Sequence, residues 1–287
     1  MPIKNKEHSI VDITMGYKCN QNCLFCSVGH IKKDLIKSTD QIKHDILLAK
    51  KKQATVLGFG GGGEPTLRKD IVELVQFAKK VGFPVIRFQT NGVMFSYDNF
   101  MEKIIEAGAN YFKFSIHGHN AKIHDALTQV KGSFERALKG INNLKKRGYS
   151  VEADIVINKL NYKYLPRFVE FFISKGISKF CFVYLIYEGN AVSNQEKVAV
   201  SMREVVPYLT DALELTEMFS LDKSLVFNIP YCLIKKHENK IVDLGEYNTI
   251  MLSPLNNQDL DKNRYKGKRK FNICAECKYD KLCHGVW

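Results

Sequence analysis

Six short apolar segments recur along residues 9–186, and each is followed by a stretch with helical spacing. Strands are predicted over 9–15, 54–60, 83–90, 110–116, 150–157 and 179–186. They are rich in β-branched and aromatic residues and bounded by Gly, Pro or Asn. Helices are predicted over 38–52, 68–81, 97–107, 133–147, 164–175 and 201–218. In 68–81 the residues Ile71, Leu74, Val75, Ala78 and Val81 fall on one helical face. Segment 133–147 opens on Ser133 as an N-cap and closes at Gly148. Six strand–helix units in a row require a parallel sheet with right-handed crossovers. The expected fold class is therefore α/β, an incomplete (β/α)6 barrel, two units short of closure. In such barrels the chemistry sits on the loops after the strands' C-terminal ends. After residue 219 the pattern loosens. A strand at 224–229 runs into Pro230, and a loop-rich tail follows. The expected division is a partial barrel over 1–220 and a small extension over 221–287.

Lys plus Arg number 43 and Asp plus Glu 30, a formal charge of +13. That balance suits acidic partners: phosphates, an acidic peptide or nucleic acid. The lysines are spread along the chain, as a solvated surface would have them. Only Lys262 to Lys270, K-N-R-Y-K-G-K-R-K, forms a dense basic patch. No apolar run approaches the roughly 18 residues of a membrane span. The N-terminal M-P-I-K-N-K-E-H lacks the apolar core of a signal peptide. A cytoplasmic location without a membrane partner is expected.

Eight cysteines in such a chain point to metal or redox chemistry rather than a disulfide scaffold. Cys19, Cys23 and Cys26 lie in C-N-Q-N-C-L-F-C, directly after the first strand. Thiolates at this density suit an iron–sulfur cluster or zinc. Structural zinc sites close with four ligands. Three thiolates can instead hold three irons of a four-iron cluster and leave one iron open to a small molecule. In the tail, Cys274, Cys277 and Cys283 follow a C-x2-C-x5-C pattern, and Cys232 after Pro230-Tyr231 is a candidate fourth ligand. Zinc and a cluster both remain open there. Cys181, among Phe180, Phe182 and Val183, reads as a buried inert thiol. The second strand ends in G-F-G-G-G-G-E-P-T-L, Gly58 to Leu67. Such a run allows close backbone approach to a ligand, or forms a flexible loop.

The C-x3-C-x2-C loop, with the aromatic Phe25 before its last cysteine and G-G-E-P at 62–65 one unit later, resembles the radical S-adenosylmethionine (SAM) superfamily. The resemblance implies a TIM-like partial barrel whose [4Fe–4S] cluster, on Cys19, Cys23 and Cys26, binds the amino and carboxylate groups of SAM. The reduced cluster then cleaves SAM to methionine and a 5′-deoxyadenosyl radical, which abstracts a substrate hydrogen. The protein orients and shields that chemistry. By the same resemblance Gly62, Gly63 and Glu64 meet the SAM amino group. Asn91 lies in the Q-T-N-G that ends strand three. Ser115 is placed for the SAM carboxylate or ribose, Asn158 for the ribose, and Gly189 in Y-E-G-N-A beside the adenine. The tail resembles SPASM or twitch extensions. It implies one auxiliary [4Fe–4S] cluster on Cys232, Cys274, Cys277 and Cys283, two clusters in all.

His117, His119 and His124 read as solvated loop histidines, with His117 the one retained as a substrate contact. The implied partners are an electron donor such as flavodoxin or ferredoxin and a peptide or small-molecule substrate, an acidic one included. The first strand begins within about ten residues of Met1, which weakens a leader-peptide version of the peptide reading. A tRNA- or nucleotide-modifying enzyme is the alternative within the class. A non-catalytic iron–sulfur or zinc protein is the alternative outside it.

Overall fold

The computed structural model describes residues 9–221, 224–242, 249–260 and 267–286. Most of the Lys262–Lys270 patch lies outside them. The strands are β1 (Ile10–Ile13), β2 (Val56–Phe59), β3 (Val85–Thr90), β4 (Tyr111–Ser115), β5 (Val151–Ile157), β6 (Lys179–Tyr184), β7 (Leu225–Phe227), β8 (Thr249–Leu252) and β9 (Asn257–Asp259). They form one sheet in the order β7-β6-β5-β4-β3-β2-β1-β8-β9, parallel throughout except for the antiparallel β9. The expected incomplete barrel is present, and the sheet is not closed. It is longer than six strands, because β8 returns from the tail to pair with β1 at Ile10↔Thr249 to Ile13↔Leu252. The sequence hides β8, which has only four residues.

The helices are α1 (Thr39–Lys51), α2 (Ile71–Val81), α3 (Asp98–Ala107), α4 (Ala121–Thr128), α5 (Ser133–Lys146), α6 (Leu165–Ser174), the short α7 (Asn190–Ser193) and α8 (Gln195–Val198), and α9 (Met202–Met218). Ser38 with Gln41, and Ser201 with Glu204, form reciprocal capping boxes that start α1 and α9. Ser133 does not cap α5. Gly132 at φ 77° takes that position, and the Ser133 hydroxyl donates to Asp125 Oδ1 at 2.9 Å.

Alternation along the strands sends the two faces to different environments. Phe59, Phe88, Phe112, Phe114, Phe180 and Phe182 are fully buried under the helices. Phe95, in the turn before α3, packs its ring 5.9, 5.4 and 5.5 Å from those of Phe88, Phe112 and Phe114. The opposite face is charged. Arg87 Nη2 donates to both Asp12 oxygens at 2.6 and 2.8 Å. Gly58 lies between them in register, and a Cβ there would sit 1.8 Å from Asp12 Oδ1, so the missing side chain opens the path. Lys113 Nζ lies 3.1 Å from Glu152 and 3.2 Å from Asp154, and the Tyr111 hydroxyl donates to Glu152. A barrel usually fills this space with branched apolar layers. Here a buried ionic network takes part of that space, and Cys181, Val183 and Phe227 beside it are apolar.

Candidate functional site

The cysteine loop leaves β1 and is held at the C-terminal end of the sheet from several sides. On one side is the glycine turn after β2. Gly63 N donates to Gly16 O at 2.8 Å and Glu64 N to Lys18 O at 2.9 Å. A Cβ on Gly62 would lie 2.7 Å from Gly16 O, and one on Gly63 2.2 Å from Lys18 O. These glycines are required by the backbone that feeds the cysteines, whatever their carbonyls do toward a ligand. On another side, Asn22 N donates to Thr128 O at 3.0 Å and Leu24 N to Leu127 O at 2.9 Å, so the end of α4 carries the loop's middle.

Glu64 is 6 % exposed, and its side chain clamps the residues around it. Its Oε1 accepts from Thr66 N (3.2 Å), Thr66 Oγ1 (2.6 Å) and Thr90 Oγ1 (2.6 Å), and its Oε2 from Asn91 N (2.8 Å). Burial raises its carboxyl above the ordinary value, against the pull of the bonds from Asn91, Thr66 and Thr90. Asn91 passes the clamp on: its Nδ2 donates to Asn20 Oδ1 at 2.6 Å, inside the cysteine loop. Glu64→Gln keeps the shape but turns one acceptor oxygen into a donor facing donors. We expect a loss of about 2 kcal/mol in urea unfolding, together with poorer iron loading of the chain.

Asn158 is fully buried, and its amide is spent locally. Nδ2 donates to Val156 O at 2.9 Å and Oδ1 accepts from Leu160 N at 3.0 Å. It caps its own turn. Gly189 packs on the cysteine loop itself. Ser115 ends β4 on the polar lumen face, in register with Asp154, and is partly exposed. Cys181 is fully buried as expected. It faces Asp154 on the lumen side, not the phenylalanines that flank it in sequence.

The solvated-histidine expectation fails for two of the three. His117 is 3 % exposed and His124 has no exposed surface. His117 N donates to His124 Nδ1 at 3.1 Å, and His117 Nδ1 accepts from Val156 N at 3.3 Å. Those bonds assign the proton of each neutral ring to Nε2. The His117 ring meets Phe25 edge-on at 4.6 Å, beside Cys26. Helix α4, absent from the sequence reading, is what buries them.

Burial pushes His124 from 6.5 down to about 4, against a small opposing pull from Asp125. The folded ring therefore holds fewer protons than the unfolded one. Stability is complete above about 6.5 and falls as pH drops toward 4. We expect His124→Asn, which keeps an acceptor for His117 N–H, to remove about 3 kcal/mol of that acid loss. Urea midpoints of both chains at pH 7 and pH 4 measure it.

The thiols suit a metal centre. Burial raises Cys23, and Cys19 and Cys26 add to it. Burial likewise raises Cys19. Bound iron would supply the positive charge that thiolates need there. In the tail, burial raises Cys232, and Cys283, Cys277 and Cys274 add to it. The ring of Tyr231, beside Cys232, stacks at 5.3 Å on that of Tyr279, between Cys277 and Cys283. Backbone N–H groups point at sulfurs in both places: Gln21 to Cys19 (3.4 Å), Phe271 to Cys274 (3.4 Å) and Gly285 to Cys283 (3.3 Å). Such bonds tune iron–sulfur clusters. Among the described residues only Glu152, Asp154 and Cys181 bring three donor atoms within 4.8 Å of one another. Lys113 already supplies the cation there. Neither cysteine set is drawn as close as the roughly 3.8 Å sulfur spacing that a tetrahedral zinc with bonds near 2.3 Å imposes.

A family model described as the Radical SAM superfamily matches residues 13–172. A Fe-coproporphyrin III synthase of Methanosarcina barkeri is 28 % identical over 206 residues, 70 % of this chain and 51 % of that protein. A probable GTP 3′,8-cyclase of Sulfurisphaera tokodaii is 25 % identical over 244 residues, 81 % of this chain and 74 % of that one. The chain thus spans about half the length of the first of these relatives. In fold, it matches Streptococcus suis SuiB, solved bound to its precursor peptide SuiA. The TM-score is 0.72 at 15 % identity, over 98 % of this chain and 72 % of SuiB.

Proposed function

This chain belongs to the radical SAM superfamily, and from that premise we propose that it is an enzyme that cleaves SAM reductively to act on a peptide or small-metabolite substrate. The observation that carries the proposal is the three-cysteine loop seated on the Gly62-Gly63-Glu64 turn at the mouth of a polar, parallel barrel. Cys19, Cys23 and Cys26 hold a [4Fe–4S] cluster. Once bound, it supplies the electron that splits SAM into methionine and the 5′-deoxyadenosyl radical. The chain's own residues do the rest. The backbone of Gly62 and Gly63 and the hydroxyl of Ser115 bind SAM. Glu64 and Asn91 hold the loop in register. Phe25 and His117 wall off water beside Cys26. Cys232, Cys274, Cys277 and Cys283 hold a second cluster, fully ligated, in a structural or electron-transfer role. A flavodoxin or ferredoxin supplies electrons.

The substrate class rests on the lumen. Asp12, Arg87, Lys113, Glu152 and Asp154 line it, and they suit a polar substrate better than a lipid. Among relatives and fold neighbours, both small-molecule names and a peptide complex occur. No helix among the described residues is long and apolar enough to cross a membrane. The test is anaerobic incubation of the reconstituted chain with SAM and dithionite. 5′-Deoxyadenosine and methionine in equal amounts support the proposal. A reconstituted, reducible cluster that yields neither would leave an iron–sulfur carrier.

A further inference from the structure

The cysteine loop is also held from a side that the resemblance assigns to the adenine. Three of its carbonyls point toward the segment after β6. Asn190 Nδ2 donates to Cys23 O at 2.9 Å, and Asn190 N donates to Cys26 O at 2.9 Å. Asn190 Nδ2 also lies 3.4 Å from Asn22 Oδ1. Asn194 Nδ2 bridges Leu24 O at 3.3 Å and Asn190 O at 2.8 Å. One asparagine at the start of α7 therefore grips the carbonyls of two of the three cysteines, and a second grips the residue between them.

Glycines on both sides make room. Gly189 has φ +57°, and a Cβ there would lie 2.6 Å from Cys26 O and 2.5 Å from Ser27 O. At Gly29 a Cβ would lie 2.2 Å from Asn190 Oδ1. Within the loop, Cys26 N reaches Cys23 O only at 3.2 Å. These partly buried carbonyls need partners, and the fold supplies them from outside the loop. β6 and β1 are not neighbours in the sheet. The contact thus crosses the mouth of an open barrel and ties its two halves together at the cysteines.

We propose that Asn190, supported by Asn194 and Gly189, is a positioning residue that fixes the Cys23–Cys26 turn before iron arrives and holds its geometry afterwards. This rests on the cluster reading above. Asn190 touches neither SAM nor substrate in this role. It acts through the peptide groups that carry the thiolates, as outer partners of metal ligands do elsewhere.

The test uses the full chain, reconstituted anaerobically with iron and sulfide, in wild-type, Asn190→Ala, Asn190→Asp and Asn194→Ala forms. Asn190→Asp keeps the shape but sets an acceptor against Cys23 O. Three quantities are read: iron per chain, the rate of iron loss to a chelator, and the EPR signal of the reduced cluster that shifts when SAM is added. Asn190→Ala should lose iron from that cluster about tenfold faster and display an altered signal. Asn190→Asp should be worse. Asn194→Ala, which removes the weaker contact and leaves Asn190 in place, should be intermediate. Wild-type loading, loss rate and spectrum in all three variants would overturn the positioning role alone. A wild-type chain with no SAM-shifted signal would overturn the cluster reading and the positioning role with it.

Discussion

Replacing Cys19, Cys23 and Cys26 together by alanine is expected to halve the iron of the reconstituted chain, from about eight atoms to about four, and to abolish 5′-deoxyadenosine formation. The loss is expected to be complete because these three are the whole thiolate set proposed for that cluster, and the tail cysteines are proposed for the second one. The remaining four irons should give an EPR signal indifferent to SAM, because four thiolates leave that cluster no open iron. Cys274→Ala with Cys277→Ala should give the converse, about four irons and a signal that SAM still shifts. Iron analysis and EPR on the same samples decide it. About four irons in the wild type, none in the triple variant and zinc in both would make the tail a zinc clip. The chain would then be a single-cluster enzyme.

What the sequence reveals and what it hides divide along one physical line. The strand–helix alternation is local, and β1 to β6 each begin within two residues of the predicted starts. The cysteine spacing and G-G-E-P are local too. How their residues work is not local. Glu64, Asn91 and Asn158 read as SAM contacts in sequence, and the bonds they make within the protein are a further role that the sequence does not show. Their partners lie across the fold or one turn away, and only the folded chain shows the bonds already made. Cys232 and Cys283 are 51 residues apart, and the Tyr231–Tyr279 stack that brings them together has no sequence period. The buried histidines mislead for the same reason. Their segment reads as an exposed loop, and its second half is α4, which packs on α5.

The lumen charges are the clearest missed signal, and one that the strands do carry. Asp12, Arg87, Lys113, Glu152 and Asp154 each lie between two apolar neighbours in their strands. Period-two placement sends them all to one face, and a face opposite the helices is the barrel interior. Charges gathered there must be paired, and the fold pairs them as Asp12–Arg87 and Lys113–Glu152–Asp154. The polar substrate class proposed above rests on that pairing, not on the net charge of the whole chain.

Lys113 is the keystone of that network, and its removal should be the most damaging single change to the fold. Its side chain is 15 % exposed and those of Glu152 and Asp154 are 8 %. Burial opposes the charge on Lys113, yet Asp154 and Glu152 hold it firmly protonated. Burial alone would raise Glu152, but Lys113 with Tyr111 brings it below its usual value. Burial, with Glu152 beside it, leaves Asp154 raised despite Lys113. Lys113→Met keeps the aliphatic stem and strands two buried carboxylates. The expected cost is about 3–5 kcal/mol at pH 7. The sign of its pH dependence follows. Without the ammonium both carboxyls rise in the folded state, so the folded chain binds more protons than the unfolded one. The deficit should be full at neutral pH and shrink as pH falls toward the unfolded carboxyl values near 4. Urea midpoints of variant and wild type at pH 7 and pH 5 measure the difference. Adding Glu152→Gln and Asp154→Asn to Lys113→Met should recover part of the loss, because neutral amides no longer need the cation. A deficit that stays constant with pH and is not recovered would place the cost in lost packing of the lysine stem, and the lumen would be held together by shape instead of charge.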